Sequence, residues 1–132
     1  MVSNQNQKIG VIGAGAWGTA LSNILAKNHN IVLWAKEKKV CENINKHSEN
    51  KRFLPKIKLS KKIKCTTEMK DICNCDILFL VIPVQYLSGE LNKLKNSLNT
   101  KTIFVCCSKG LEMRSLKLPS QIVSSIFPKN KI

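Results

Sequence analysis

The chain has 132 residues, 43% of them hydrophobic, and carries a formal net charge of +14. Length and composition predict one globular domain, and they exclude a membrane span, because the chain lacks a run of roughly 18 uncharged apolar residues. The N-terminal stretch MVSNQNQK has no apolar core of the kind that a secretory signal needs, so we expect a cytoplasmic protein.

Lysine supplies almost all of the positive charge. The 22 basic residues are twenty lysines and two arginines, Arg52 and Arg114, and the accompanying abundance of Asn and Ile is typical of an A/T-biased genome. The sequence lacks arginine forks, stacked aromatics and a nucleic-acid reading motif. We therefore expect no nucleic-acid partner, and the densest basic stretch, 51–64, indicates a solvated face or attraction of an anionic metabolite.

Strand and helix patterns alternate from the start of the chain. Lys8–Ile12 is a short apolar run that predicts a strand, and apolar residues then recur at helical spacing over 17–25. Asn30–Ala35 predicts a second strand, and the pattern over 40–47 indicates a second helix.

The middle of the chain repeats this alternation after a loop that contains Pro55. Lys62–Thr66 predicts a weak strand, and Glu68–Cys73 could form two helical turns. Cys75–Pro83 is an unbroken apolar run, as a strand buried on both faces requires. A leucine stripe over 84–98 predicts the clearest amphipathic helix of the chain.

The last two elements complete the pattern. Thr102–Cys107 predicts another buried strand, and Pro119 lies near the start of a helix with Ile122, Val123 and Ile126 on one face. Alternation of this kind predicts an α/β fold with a doubly wound parallel sheet, helices on both faces and the strand order 3-2-1-4-5.

The cysteine pattern indicates buried, reduced thiols rather than a metal site. Six cysteines are present, none forms a C-x-x-C pair, and no Cys–His spacing fits zinc. Most fall in or beside apolar runs, where a free cysteine behaves as a small hydrophobe. We expect no metal.

Three glycines, Gly13, Gly15 and Gly18, spell the string G-x-G-x-x-G between a predicted strand and a predicted helix. In this context the string is the fingerprint of a Rossmann-type dinucleotide site. Gly13 permits the tight turn, Gly15 lets a pyrophosphate approach the backbone, and Gly18 lets the helix pack close to the strand. The amides at the helix start then face the anion.

Further candidate residues follow the other strands, whose carboxyl ends line the same crevice. Lys36 occupies the position where NAD-specific sites place an acidic residue, so a 2′-phosphate and hence NADPH should be accepted, while Glu37 keeps NADH possible. Pro83 and Lys109 are expected on the nicotinamide side, where Lys109 could hold a ribose hydroxyl or an anionic substrate.

Five segments of the chain resemble, in the same order, the bacterial-type NAD(P)-dependent glycerol-3-phosphate dehydrogenases. These segments are IGAGAWGTALSNILAKN, VLWAKE, NKRFLP, VIPVQYL and CCSKGLE. The resemblance spans essentially the whole chain, and GAGAWGTAL together with SKGLE at this separation is highly specific.

The resemblance implies cofactor contacts at Ala16, Trp17, Lys36 and Lys109, with Lys109 touching the substrate as well. It implies NADPH or NADH as the cofactor and reduction of dihydroxyacetone phosphate to sn-glycerol 3-phosphate, a precursor of phospholipids. Two positions depart from the family pattern: Val84 stands where many members have Ser, and Lys36 where relatives often have Arg or His.

Family members are more than twice as long as this chain. The resemblance therefore implies that residues 1–132 form the NAD(P)-binding domain of a two-domain enzyme, whose C-terminal helical domain carries the catalytic lysine and which can form a homodimer. We expect the isolated chain to bind cofactor with little or no turnover. We also expect it to self-associate through an unpaired sheet edge.

Two other functions stay open from the residues themselves. One is a non-catalytic NAD(P)-binding module. The other is the cofactor domain of a different hydroxyacid or sugar-phosphate dehydrogenase, against which SKGLE argues. Oxidation of NADH in the presence of dihydroxyacetone phosphate distinguishes these possibilities.

Overall fold

A computed structural model describes residues 7–132, in which strands and helices alternate as the sequence predicts. The elements in chain order are β1 (Ile9–Ile12), α1 (Ala16–Leu25), β2 (Ile31–Trp34), α2 (Lys38–His47), β3 (Ile63–Thr66), a 3-10 helix (Met69–Ile72), β4 (Ile77–Leu80), α3 (Val84–Asn92), β5 (Ile103–Cys106) and α4 (Pro119–Ile126). Among the described residues, no helix is long and apolar enough to cross a membrane.

Within residues 7–132 the strands form one five-stranded parallel sheet in the order β3-β2-β1-β4-β5, which confirms the predicted topology. The central strand β1 pairs Ile9 with Ile31 of β2 and with Ile77 of β4. Because all strands run in the same direction, their carboxyl ends meet at one edge of the sheet, where doubly wound folds place their ligands.

The sheet is covered on both faces by apolar side chains, which explains why β1 and β4 read as continuous apolar runs. Successive residues of β1 point to opposite faces. Val11 packs into the cluster that contains Leu33 and Val40, whereas Ile12 packs into the cluster that contains Leu80 and Phe104. The core therefore lies in two layers separated by the sheet.

Helix α1 buries a different face from the one that its large apolar residues suggest. Gly18, Thr19 and Ser22 face the sheet, while the side chains of Trp17 and Ile24 are 53% and 58% exposed. The helix lies so close to the turn after β1 that large side chains do not fit between them. The buried Ser22 hydroxyl has a hydrogen-bond partner within the helix, because it donates to the Gly18 carbonyl at 2.7 Å.

Two predicted helical segments are shorter than expected. The leucine stripe over 84–98 forms α3 up to Asn92, and turns follow in which Leu94 remains buried. The segment over 68–73 forms a single 3-10 helix rather than two α-helical turns. Burial of apolar side chains thus continues beyond the end of a helix, so the apolar pattern overestimates its length.

Strand β5 is an edge strand and is only partly buried, contrary to the expectation of a fully buried strand. Ile103 is 37% exposed, and Phe104 is the strand's fully buried residue. After α4 the chain returns to this edge, where the Phe104 amide donates to the Lys131 carbonyl at 2.9 Å and Ile103 forms a parallel bridge with Lys131. The Asn130 side chain donates to the carbonyl of Thr102 nearby.

All six cysteines are free, and four of them are buried, as the sequence predicts. Burial raises the pKa of each thiol, and it raises that of Cys75 to about 11. The Sγ atoms of Cys41 on α2 and Cys65 on β3 lie 2.7 Å apart in the core. At neutral pH these side chains are neutral thiols that fill the interior.

Candidate functional site

The carboxyl ends of β1, β2 and β4 open onto a cavity of about 420 Å³. Its walls come from the turn after β1, the segment after β2, the start of α3 and the loop that contains Phe53. The lining residues are Gly13, Ala14, Gly15, Trp34, Ala35, Lys36, Glu37, Val40, Phe53, Val81, Ile82, Pro83, Tyr86 and Glu90. This is the crevice that the fold predicts for a ligand.

The three motif glycines meet different surroundings. Gly13 has a φ of +120°, and a Cβ there would lie 2.8 Å from the Val81 carbonyl oxygen, so this turn requires glycine. A Cβ on Gly18 would lie 1.8 Å from the Gly13 carbonyl oxygen, which shows how closely α1 approaches the turn. At Gly15 no described atom other than those of its chain neighbours lies within 4 Å of the Cβ position, so the backbone there faces open space.

Helix α1 begins at this open position. Gly15 is its N-cap, and the first helical hydrogen bond runs from the Thr19 amide to the Gly15 carbonyl at 3.0 Å. The amides of Ala16, Trp17 and Gly18 therefore belong to the first turn, where helical carbonyls cannot pair with them. Backbone donors at a helix N-terminus beside an uncrowded glycine fit the pyrophosphate of a dinucleotide.

A buried asparagine, Asn50, holds the glycine turn in place. Its Nδ2 donates to the Ala14 carbonyl at 2.9 Å and to the Thr19 hydroxyl at 2.8 Å, and its Oδ1 accepts from the Phe53 amide at 3.1 Å. Asn50 is fully buried. One side chain thus ties the turn, the start of α1 and the loop wall of the cavity together.

Charged groups gather at the end of β2. The Lys36 ammonium lies 5.7 Å from the centre of the Tyr86 ring, across the cavity on α3. Glu37, the next residue, forms an ion pair with Arg52 from the loop that Asn50 anchors. The second carboxylate that lines the cavity, Glu90, pairs with Lys93 at 2.6 Å. Both lining carboxylates are therefore engaged by cations.

The loop that carries Lys109 is fixed by neighbouring side chains. The Ser108 hydroxyl donates to the Ile82 carbonyl at 2.6 Å. Gln85, at the start of α3, donates to the Leu111 carbonyl at 2.8 Å and accepts from the Met113 amide at 2.9 Å. Lys109 itself is exposed at the carboxyl end of β5.

The site as described can bind and orient a ligand, but its side chains offer little for proton transfer. Its lining carboxylates are ion-paired, and burial raises the pKa of the Cys107 thiol beside Ser108, so that thiol is a poor nucleophile at neutral pH. Its useful groups are backbone amides and cationic side chains, which suit an anionic ligand.

The structure brings together four of the sequence-predicted site residues and places the others around them. Gly13, Gly15, Lys36 and Pro83 line the cavity. Ala16, Trp17 and Gly18 begin α1 beside it, with the Trp17 side chain pointing largely to solvent, and Lys109 lies in the loop after β5, outside the set of lining residues.

Sequence reasoning did not assign roles to several residues that shape the site. Asn50 and Phe53 belong to the NKRFLP segment. At the level of sequence this segment served only to show the resemblance, and its residues received no physical role. Gln85 and Tyr86 belong to the VIPVQYL segment, which likewise served only to show the resemblance. The sequence feature that could have pointed to Asn50 and Phe53 is a polar residue and an aromatic residue close together in a loop.

The fold and the cavity at the glycine turn define the class, a Rossmann-type domain of the kind that binds dinucleotides. The family model described as NAD-dependent glycerol-3-phosphate dehydrogenase N-terminus matches residues 8–132. The chain belongs to this family.

Relatives and solved structures agree with this assignment. The glycerol-3-phosphate dehydrogenase [NAD(P)+] of Neorickettsia sennetsu is 37% identical over 92% of this chain and 37% of that protein, and that of Maridesulfovibrio salexigens is 42% identical over 88% and 36%. The crystal structure of the Coxiella burnetii glycerol-3-phosphate dehydrogenase superposes with a TM-score of 0.85 and 26% identity, over 92% of this chain and 38% of that chain. This chain spans little more than a third of the length of these relatives.

Proposed function

We propose that this chain binds NADH or NADPH in the glycine-turn cavity and is the cofactor-binding domain of a glycerol-3-phosphate dehydrogenase. One observation carries the proposal: the open backbone at Gly15 beside the first-turn amides of α1, in a chain that belongs to this family. In the doubly wound fold this is where a pyrophosphate binds.

The described residues divide the work of binding. The amides of Ala16, Trp17 and Gly18 hold the pyrophosphate, and Lys36 attracts the adenosine end. Lys109, whose loop is held by Ser108 and Gln85, orients the substrate phosphate or the nicotinamide ribose. A nicotinamide cofactor bound here would supply hydride transfer, and holding the substrate beside it lowers the entropic part of the reaction barrier.

The substrate pair proposed for the whole enzyme is dihydroxyacetone phosphate and sn-glycerol 3-phosphate, with reduction serving phospholipid synthesis in the cytoplasm. We propose that residues 1–132 are the cofactor domain and that turnover needs the part of the relatives that this chain does not span, including a catalytic lysine. The whole enzyme is proposed to act as a homodimer.

Titration of the ¹⁵N-labelled chain with NADPH and with NADH tests the binding proposal by NMR. We expect the amide signals of residues 12–19 to shift with saturation, because they face the pyrophosphate, while those of 119–126 in α4 stay in place. Unmoved signals in the glycine turn of folded protein contradict the proposal.

Turnover is tested separately by oxidation of NADH with dihydroxyacetone phosphate. We expect little or no activity from this chain and activity from a longer form that spans its relatives. Binding without turnover in either form instead supports a non-catalytic module.

A further inference from the structure

A second charged pair lies beside Lys36 at the adenosine end of the cavity. Arg52 and Glu37 form an ion pair whose side chains are 61% and 43% exposed. The Arg52 guanidinium also lies over the Phe53 ring, 5.0 Å from its centre. Asn50 ties this loop to the glycine turn, so the backbone that carries Arg52 lies at a fixed place beside the turn, while the exposed guanidinium can rotate.

A second cavity, of about 310 Å³, adjoins the first and shares Glu37 with it. Its lining includes three cationic side chains, Lys39, Lys51 and Arg52, and one carboxylate, that of Glu37. Lys36 lines the first cavity, where its ammonium lies over Tyr86. Cationic side chains therefore line both of the cavities that meet at Glu37.

We propose that Arg52 binds the 2′-phosphate of NADPH in this second cavity, and that its exchange between Glu37 and the phosphate sets the choice between NADPH and NADH. The proposal rests on the proposed function, because the adenosine ribose must lie beside Glu37. With NADPH, the guanidinium turns from the carboxylate to the phosphate. With NADH, Glu37 accepts hydrogen bonds from the free ribose hydroxyls.

The exchange is physically accessible because the pair is exposed. An ion pair in contact with water is weak, so breaking it costs little. A guanidinium binds phosphate through two parallel hydrogen bonds, so Arg52 interacts more strongly with the 2′-phosphate than with the exposed Glu37 carboxylate. Lys39 and Lys51 add attraction for an anion at the same place.

Binding to the full chain, measured by calorimetry in phosphate-free buffer, tests the proposal. The ligands are NADPH, NADH, adenosine 2′,5′-bisphosphate and 5′-AMP, so that the 2′-phosphate is probed with and without nicotinamide. For Arg52→Gln we expect NADPH and the bisphosphate to bind about tenfold or more weakly. NADH and 5′-AMP should bind within about twofold of wild type, because neither reaches the guanidinium.

Substitution of Glu37, the partner of Arg52 in the ion pair, should shift the cofactor preference in the opposite direction. In Glu37→Gln the repelling carboxylate is gone, so NADPH should bind more tightly and NADH more weakly. Lys101→Gln is the matched control, because it removes one exposed positive charge just before β5, away from the cavity, and it should leave the ratio of the two affinities unchanged. Circular dichroism confirms that each variant is folded.

The outcomes separate this inference from the proposed function. Equal weakening of NADPH and NADH by Arg52→Gln, or no effect on either, overturns the inference while wild-type binding still supports the function. A Glu37→Gln variant that strengthens both cofactors equally also overturns it. Failure of the wild-type chain to bind any of the four ligands overturns both proposals together.

Discussion

Gly15 and Gly18 belong to one motif but are needed for different reasons. A side chain at Gly18 would overlap the Gly13 carbonyl, whereas a side chain at Gly15 would enter open space. We expect Gly18→Ala to destabilise the fold by about 3 kcal/mol or more, since backbone must move to admit the methyl group. Gly15→Ala should change stability by less than about 1 kcal/mol, because Gly15 has an ordinary extended conformation.

For cofactor binding, Gly15→Ala is the informative variant, because it should weaken binding while leaving the protein folded. Gly15→Ala places a methyl group where the pyrophosphate approaches, so NADPH should bind about tenfold or more weakly to a fully folded protein. Urea unfolding measures the stability change and fluorescence titration the binding. Wild-type affinity in Gly15→Ala is the result that contradicts a pyrophosphate at this backbone.

Lys36 and Arg52 show what can be read from a sequence at the level of one side chain. Lys36 could be placed at the end of β2 by its spacing from the glycines, because strand and helix lengths fix that distance. The pairing of Arg52 with Glu37 could not be predicted from the sequence, because it depends on the path of the loop between α2 and β3. That path is set by Asn50, whose partners lie 31 and 36 residues away along the chain.

The loop that begins at Asn50 stabilises the site as a unit. Asn50→Ala removes the hydrogen-bond partners of the Ala14 carbonyl, the Thr19 hydroxyl and the Phe53 amide in a buried place, and we expect a loss of about 2–3 kcal/mol in the free energy of unfolding. The amide signals of the glycine turn should shift in the ligand-free protein, because the turn loses its anchor.

Asn45→Ala is the matched control for this change. Asn45 on α2 also uses both ends of its amide, donating to the Cys65 carbonyl at 2.9 Å and accepting from the Cys65 amide at 2.8 Å, but it does so at strand β3. It should lower stability without shifting the glycine-turn signals. If both variants perturb the turn alike, Asn50 has no special role in holding it.

Helices α1 and α4 illustrate how far a periodic pattern carries a prediction. In α4 the apolar residues Ile122 and Val123 face the core, as expected. In α1 the helix itself was predictable, but its buried face was not. Contact between Gly18 and the Gly13 carbonyl selects a face of small residues, and the large apolar residues Trp17 and Ile24 turn outward.

The arrangement of the whole sheet leaves β5 with a sparsely paired outer edge. Among the described residues, its outer edge is covered by the bridge between Ile103 and Lys131 and the bonds of the neighbouring Asn130. We expect the 132-residue chain to self-associate through this edge, and more strongly as salt screens its net charge of +14. Light scattering as a function of protein and salt concentration measures this.

Ile103→Lys tests the edge directly. Its side chain is already 37% exposed, so the substitution should be tolerated, and a charge on an edge strand opposes pairing with a second copy. We expect the variant to remain monomeric under conditions in which the wild type associates. If the wild-type chain stays monomeric at high salt, the outer edge of β5 does not mediate self-association.

The topology was predictable because alternation of strand and helix patterns leaves few right-handed arrangements. Its fine structure was less accessible. The sequence marks Thr102–Cys107 and Cys75–Pro83 alike as apolar runs, yet β4 lies inside the sheet and β5 at its edge. Position in the sheet depends on which elements follow and where they pack, which a local pattern does not record.

The central place of β1 has a consequence for biosynthesis. Ile9 finds one partner in Ile31, but the other, Ile77, is 68 residues further along the chain. At the usual 5–20 residues per second, a ribosome needs roughly 3–14 s to supply it. During that interval the side of the nascent β1 strand that pairs with β4 has no native partner, although its apolar residues have already been synthesised.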